Sequence, residues 1–229
     1  MRSVILLLHI YRNTERAIHS IKDMIYNDLK ELEVSVDVSA TLEGWVQVDL
    51  SGEDEEFSAN YLVSKYNTPV DEVEPGKEYR GYIQSIKSER ILVNVGVELS
   101  IPQSHLKPLG TGNVEQIASR FGIIPYLPVS VDVTDNSENP KARFTKKQID
   151  LWWDWKKSST DRVIANSATR SELKSAIKKK GHGKDIYGVE RLGVMEHAIV
   201  CREDTDGPGI VAEIGKLLIS DLGVVVGNG

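Results

Sequence analysis

Short runs of alternating apolar and polar residues fill the middle of the chain. They cover residues 76–83, 91–96, 99–106, 129–133 and 142–145, and glycines and polar turns separate them. Alternation of this kind is typical of strands with one buried face, and several short strands in succession indicate a small all-β barrel. We therefore predict a barrel over residues 73–148, with a short helix at 114–121 between its third and fourth strands.

The segments on either side of the barrel mix strands with helices. Residues 1–72 are predicted as strand, helix, strand, strand and helix. Alternating apolar and polar residues predict the strands, and apolar residues at a spacing of three to four predict the helix between them. Residues 149–229 are predicted as a helix with three tryptophans, followed by helix, strand, strand, helix and strand. Residues 69–75 and 158–168 are interpreted as flexible linkers.

The fold class that follows is an α+β multidomain protein. It has a small N-terminal α/β two-layer domain (1–72), a central barrel (73–148), and a tryptophan-bearing helix plus a small C-terminal α/β domain (149–229). In both outer domains, packing of the helices on the sheet buries the apolar faces of the two layers.

The central segment resembles the S1-type OB-fold barrel. The resemblance rests on a Gly-x-x-x-x-Gly opening strand (76–81), a strand that ends in Val-x-Val-Gly (93–96), a Pro-Gln-Ser-x-Leu turn (102–106) and a polar hairpin between the last two strands. OB barrels commonly bind oligonucleotides. The resemblance implies contacts to nucleic acid from Arg80, Tyr82, Lys87 and Arg90.

The same resemblance predicts a weak RNA face on the barrel. S1 domains that bind RNA usually carry aromatic residues on the second strand and a histidine near the third. At the matching positions this chain has Glu89, Leu92 and Pro102. Stacking on aromatic side chains contributes about 1–3 kcal/mol per base, so the loss of these rings is expected to matter.

Larger parts of the chain also resemble known assemblies. The first half is similar to the RNA-polymerase stalk subunit that joins an α/β tip to an S1 barrel, and the second half to the α subunit of archaeal translation initiation factor two. The whole resembles an archaeal family with a central S1-like barrel. These resemblances imply a factor whose partner is RNA, a ribonucleoprotein or a polymerase complex, and the single cysteine fits a reducing cytoplasm.

The charge is distributed unevenly along the chain. The net charge is −6, which argues against a generic nucleic-acid binder, yet residues 141–191 carry 14 Lys and Arg against 6 Asp and Glu. A basic centre between acidic flanks suits a polyanion. A solvated lysine-rich helix surface is the alternative. The phosphate contacts predicted from this segment are Lys141, Arg143, Lys146, Lys174, Lys178, Lys179, Lys180 and Lys184.

Two further motifs admit both a structural and a functional interpretation. The tryptophans at 152, 153 and 155 either pack the helix onto the barrel or a neighbouring domain, or stack nucleobases, and packing is favoured. The turn at residues 204–209 resembles the first β-α turn of ACT-type sensor domains, which implies a small-ligand site at Asp206, Gly207 and Gly209. An ordinary helix start explains the same residues.

No catalytic constellation is present in the sequence. The five histidines show no metal-ligand spacing, His182 is expected to be solvated, and Cys201 lies in an apolar run as a packed thiol. We expect no enzyme activity, no cofactor, no metal and no membrane span. The leading hypothesis is a non-catalytic RNA- or ribonucleoprotein-binding factor in translation or transcription. The alternatives are a protein–protein adaptor and an ACT-like ligand-sensing regulator.

Overall fold

The computed structural model describes residues 1–228 and contains the three predicted parts. The N-terminal part has the predicted order, and its elements are β1 (Arg2–His9), α1 (Thr14–Leu29), β2 (Val34–Ala40), β3 (Trp45–Gly52) and α2 (Glu55–Tyr66). Its antiparallel sheet has the strand order β2-β3-β1. Val46, Val48 and Leu50 of β3 are fully buried, whereas the residues between them are only partly buried. One face of this sheet therefore forms a core and the other faces solvent.

The central part is a closed five-stranded barrel, as predicted. Its elements are β4 (Glu78–Lys87), β5 (Arg90–Asn94), β6 (Glu98–Pro102), a 3-10 helix (Gln103–Leu109), α3 (Val114–Arg120), β7 (Pro128–Asp135) and β8 (Lys141–Phe144). The strands close in the order β4-β5-β6-β8-β7, and β7 pairs back onto β4. The pairing of β6 with β8 is parallel, and all other pairs are antiparallel. The barrel is therefore mixed.

The C-terminal part contains one strand more than predicted. It comprises α4 (Lys146–Lys157), β9 (Arg162–Ala165), α5 (Arg170–Lys179), β10 (Ile186–Arg191), β11 (His197–Cys201), α6 (Gly207–Ile214) and β12 (Leu222–Val225). The antiparallel sheet has the order β10-β11-β9-β12. With β9 included, the order from β9 to β12 is the β-α-β-β-α-β unit of ferredoxin-like domains.

The predicted flexible linker at residues 158–168 is therefore wrong. β9 lies in its middle and pairs on both sides, and Val163, Ile164 and Ala165 are fully buried. Such a strand is protected by two ladders of hydrogen bonds and by packing on both faces, so early proteolysis is not expected there. Sequence reasoning missed it because a strand buried on both faces shows no alternation.

The barrel and the C-terminal sheet belong to one compact unit, which begins at Glu72; a second unit spans Met1–Asp71. The helix-side face of the C-terminal sheet forms a core with α5 and α6. The opposite face meets the barrel at Gly122, where an added Cβ would lie 3.1 Å from both Ile164 and Val225. Gly122 also has a φ of 59°, so both its backbone and its surroundings favour glycine. This sheet is thus covered on both faces.

The tryptophans of α4 are packing residues, as the favoured interpretation predicted. Trp152 is fully buried, with its ring edge-on to Phe144 at 4.8 Å between centroids. The indole N–H of Trp153 donates to the carbonyl of Pro108 at 3.0 Å. Trp155 is buried, and the guanidinium of Arg162 lies 5.7 Å from its ring centre. These contacts join α4 to the barrel and to β9.

Candidate nucleic-acid interface

Helix α5 is built so that one side packs and the other faces solvent. It begins at a capping box, in which Glu172 N–H donates to the Thr169 hydroxyl at 3.2 Å and Thr169 N–H donates to the Glu172 carboxylate at 2.8 Å. Leu173, Ala176 and Ile177 are buried against the sheet. The remaining positions of the helix are exposed, except for Glu172 of the capping box, which is partly buried.

The exposed side of α5 carries a row of cations. Arg170, Lys174 and Lys178 are exposed and follow one another at a spacing of four residues, which puts them on one side of the helix about 6 Å apart along its axis. Exposed Lys179 and Lys180 continue the row at the end of the helix. The left-handed Gly181 then turns the chain into a 3-10 helix (His182–Lys184), whose last residue, Lys184, is also exposed.

We call this set the α5 basic face: Arg170, Lys174, Lys178, Lys179, Lys180 and Lys184. Its lysines have no carboxylate partner within residues 1–228, where every ion pair of the neighbouring segment involves other groups. An exposed cation without a carboxylate partner is not neutralised by the protein itself and is available to a phosphate.

The predicted basic residues of the barrel and of the start of α4 are arranged differently. Arg143 on β8 lies 3.4 Å from the carboxylate of Asp132 on β7. Lys141 lies 3.9 Å from Asp135, and Lys146 lies 3.1 Å from the carboxylate of Asp150 one helical turn away. A phosphate would have to compete with these carboxylates, so these three residues offer a poorer site for a polyanion than unpaired cations do.

The four contacts implied by the S1 resemblance do not form one surface of aromatics and cations. Arg80, Lys87 and Arg90 are exposed, and Lys87 faces Arg90 across the β4–β5 turn. Tyr82, however, is only 8 % exposed, and burial raises the pKa of its hydroxyl. Its ring lies 6.2 Å from that of Tyr126. The nucleic-acid contact of Tyr82 stays a prediction, and little of its ring is exposed for such a contact.

The turn at 204–209 begins α6, and a carboxylate of the chain itself occupies that helix start. The amide of Gly207 donates to Asp161 Oδ2 at 2.9 Å, and the amide of Gly227 donates to Asp161 Oδ1 at 2.8 Å. Asp206 is exposed, and an added Cβ at Gly209 would lie 2.6 Å from the Asp206 carboxylate. An anion at a helix N-terminus is favourable, and Asp161 supplies it here.

The position of this turn in the fold differs from that of the first β-α turn of ACT-type domains, which it was expected to resemble. The C-terminal domain has all four strands, whereas the sequence interpretation found only three. The turn follows the third strand, β11, and not the first, β9. The first β-α connection contains Asn166, which is buried and donates to Pro125 O at 2.8 Å and to Asp221 at 2.9 Å. Sequence reasoning missed both Asp161 and Asn166, since they lay in the presumed linker.

His182 is a bridging residue and not a solvated one, which corrects the sequence expectation. Its Nδ1 lies 2.8 Å from the carboxylate of Asp185, and its Nε2 lies 3.3 Å from that of Glu213 on α6. The hydrogen bond to Asp185 is the main cause of a raised pKa for His182. The bridge joins the 3-10 helix that carries Lys184 to α6, so the end of the α5 basic face is anchored.

Strand β11 carries two buried ionisable side chains, a histidine and a cysteine. His197 is fully buried, and burial, with a smaller contribution from Arg191, lowers its pKa to about 4. Cys201 is buried, and burial raises the pKa of its thiol to about 11. The prediction that Cys201 is a packed thiol is confirmed. A search of residues 1–228 finds neither a cluster of three or more potential metal ligands nor a helix long and apolar enough to cross a membrane.

Three family models match the chain in succession. They are described as the DUF2110 N-terminal domain (residues 3–72), the DUF2110 central domain (73–156) and the DUF2110 C-terminal domain (160–226). The chain belongs to the DUF2110 family. No curated protein matches it.

The three DUF2110 domains can be placed on the fold. The DUF2110 central domain contains the barrel together with most of α4, so the tryptophans that pack against the barrel are part of it. The DUF2110 C-terminal domain begins just before Asp161 and β9 and extends through β12. It therefore contains the whole α5 basic face as well as the carboxylate that holds the start of α6.

Proposed function

We propose that this DUF2110 protein is a non-catalytic RNA-binding factor that contacts the phosphate backbone with the α5 basic face. The observation that carries the proposal is the row of unpaired cations on one side of a well-capped helix. Phosphate contacts of Lys and Arg supply most of the sequence-independent affinity for nucleic acids. A partner in translation or transcription would fit the resemblance of the central barrel to S1-type OB folds.

The barrel contributes little stacking in this proposal. In OB folds the second and third strands form the oligonucleotide face. Here the corresponding strands are β5 and β6, and Leu92 at the middle of β5 is buried while Glu98 on β6 is exposed. A face without aromatic rings and with exposed acids binds RNA poorly. The proposal therefore assigns the phosphate contacts to the C-terminal domain and leaves the barrel as its rigid support.

Salt-dependent binding of labelled single-stranded RNA tests the proposal. If about five phosphates are contacted, affinity should fall roughly a hundredfold between about 50 and 200 mM salt. A variant with Lys178, Lys179 and Lys180 changed to Gln should bind more weakly. The slope of log affinity against log salt should also become shallower by about 2, or about 0.7 per lost contact. Glutamine keeps good helix propensity, so the fold should tolerate the change.

The matched control removes the same charge from the barrel. A variant with Arg80, Lys87 and Arg90 changed to Gln loses three cations at exposed strand positions, and we expect it to keep the wild-type slope. Loss of binding in this control and not in the α5 variant would move the contact to the barrel and contradict the proposal.

A protein–protein adaptor is the second candidate, and the structure of the barrel favours it. The face that OB folds use for oligonucleotides lacks aromatic residues here, so the barrel is suited to another partner. If no RNA in a broad panel binds more tightly than about 100 μM at low salt, in the range of weak non-specific binding, the adaptor replaces the RNA-binding proposal.

A further inference from the structure

The N-terminal sheet has an open edge at the position that the C-terminal sheet fills with a fourth strand. In the C-terminal domain β9 pairs with β11 on one side and with β12 on the other. In the N-terminal domain β1 takes the place of β9 and pairs with β3, and no strand within residues 1–228 pairs with its other side. A free strand edge offers a row of unpaired backbone groups to another strand.

The hydrogen-bonding pattern shows which groups of β1 face this edge. Thr41 N–H donates to the carbonyl of Trp45, so odd-numbered residues of β3 bond towards β2 and even-numbered ones towards β1. The even-numbered residues of β1 therefore bond to β3, which leaves the backbone N–H and C=O groups of Ser3 and Ile5 pointing towards the open edge. Leu7 also faces outward, and its N–H already donates to Asn67 O at 2.9 Å. The open part of the edge is Ser3 to Ile5.

This open edge lacks the features that usually prevent strand addition. Ser3, Val4 and Ile5 carry no charge and no proline, and the irregularity of β1 lies beyond them, between Leu6 and His9. Ile5 is 41 % exposed. Arg2, at the start of the strand, is paired with Glu56 at 3.0 Å. The edge therefore presents neutral, extended backbone with its nearest charge already compensated.

We propose that the edge of β1 pairs with β1 of a second copy of this chain to form a continuous six-stranded sheet. A twofold axis relates identical strands in antiparallel orientation, which is the orientation of β12 on β9. With the axis at Val4, Ser3 of each copy pairs with Ile5 of the other, and every free group of the open edge finds a partner. Arg2 then lies opposite Leu6, so like charges do not meet.

The expected dimer is weak and closed. The pairing is short and lies at the small end of protein interfaces, so the dimer is expected to dissociate on dilution. Because both copies use the same surface, the contact closes as a dimer and does not propagate. The inference is independent of RNA binding, since no residue of the α5 basic face takes part.

Analytical ultracentrifugation over a range of protein concentrations tests the oligomeric state. The wild type should reach a dimer, and Ile5→Lys should shift dissociation to at least tenfold higher concentration because it places charges at the new strand pair. Leu42→Lys adds the same charge at a fully exposed position between β2 and β3 and should leave the dimer intact. A wild type that stays monomeric, or an Ile5→Lys variant that dimerises like the wild type, would overturn the proposal.

Disulfide trapping tests the register. Val4→Cys places two thiols directly opposite each other, with Cα atoms about 4.5 Å apart, which permits a disulfide across the twofold axis. Ser3→Cys places them more than about 7 Å apart in the same register, so trapping should fail. The native Cys201 is buried and should not interfere. Equal trapping of the two variants would contradict the Val4-centred pairing.

Discussion

The N-terminal and C-terminal sheets share the strand order β2-β3-β1 and β10-β11-β9, but their environments differ. The N-terminal sheet has three strands and one covered face, whereas the C-terminal sheet has a fourth strand, β12, and both faces covered. Every residue of β11 is buried, while β3 alternates between buried and partly buried positions. The same strand order therefore forms a sheet with one solvent-exposed face in the N-terminal domain and a sheet that packs on both sides in the C-terminal domain.

The same difference decides which surfaces remain for partners. The solvent face of the N-terminal sheet carries two acidic residues, Asp37 and Asp49, which are register partners on β2 and β3, and Asp37 also lies 3.6 Å from Lys22 Nζ. The C-terminal sheet is covered on both faces at β9 and β11, so its domain meets solvent largely through α5, α6 and the edge strand β10, where Tyr187 and Glu190 are exposed. Of these helices, α5 carries the cations. An acidic sheet face and a basic helix face thus come from the same strand order.

The largest expected effect comes from truncating one isoleucine side chain on each of two corresponding strands, the interior strand β9 and the edge strand β1. Ile164 of β9 is fully buried against the barrel, whereas Ile5 of β1 is exposed on the outer face of its sheet. Ile164→Ala should lower the free energy of unfolding of the second unit by about 2–5 kcal/mol, because it leaves a cavity. Ile5→Ala should cost less than about 1 kcal/mol. Urea unfolding of both variants measures the difference, and equal costs would remove the contrast between the sheets.

The next largest effect is acid sensitivity, which we expect from the C-terminal sheet. His197 begins β11, as Trp45 begins β3, and its pKa is lowered from 6.5 to about 4 by burial. The unfolded chain therefore binds a proton at higher pH than the folded chain does. The stability that neutral His197 contributes is present above pH 6.5 and is lost as the pH falls towards 4, by up to about 3 kcal/mol.

The measurement for His197 is the difference in unfolding free energy between wild type and His197→Gln across this pH range. Glutamine does not titrate, so the steep fall should be smaller in the variant. Parallel pH dependence of the two proteins would show that His197 does not carry the effect. His182, whose pKa is raised, acts in the opposite direction, because its contribution is present at low pH and is lost as the pH rises through its folded pKa.

A smaller effect is expected from Asp161, which holds the segment after β12 and the start of α6 together. Asp161→Ala leaves the amides of Gly207 and Gly227 without their acceptor, and the cost should be about 1–3 kcal/mol. Hydrogen exchange should become faster at β12, so that the C-terminal sheet approaches the three-stranded N-terminal one. Asp206→Ala, at an exposed position of the same turn, serves as the control and should leave exchange at β12 unchanged.

The sequence predicts most of the fold where one face of each element is solvated. The alternation of β3 and the barrel strands, the spacing of α1 and the capping box of α5 all identify their elements. β9 was missed because it is four residues long, is buried on both faces and is flanked by polar residues that favour a loop. Asp161 and Asn166 were lost with it, since their roles depend on where that strand lies.

The candidate site could be predicted only in part, for a different reason. The charge run identifies the lysines of α5, and helical spacing places Lys174 and Lys178 on one side, together with Arg170. The sequence does not reveal that Arg143 is paired with Asp132, since those residues meet only when β7 pairs with β8. Nor does it reveal that Tyr82 is turned into the barrel wall. Which cations stay free is a property of the folded surface.

Ultraviolet cross-linking of bound RNA, followed by mass spectrometry of the attached peptides, tests the central claim most directly. The claim is that the helical side of the C-terminal domain contacts the RNA backbone. We predict that cross-linked peptides concentrate in residues 170–184, which include the whole α5 basic face, and that high salt removes them. Cross-links confined to the barrel strands β4 to β6, or to the acidic N-terminal sheet, would contradict the account.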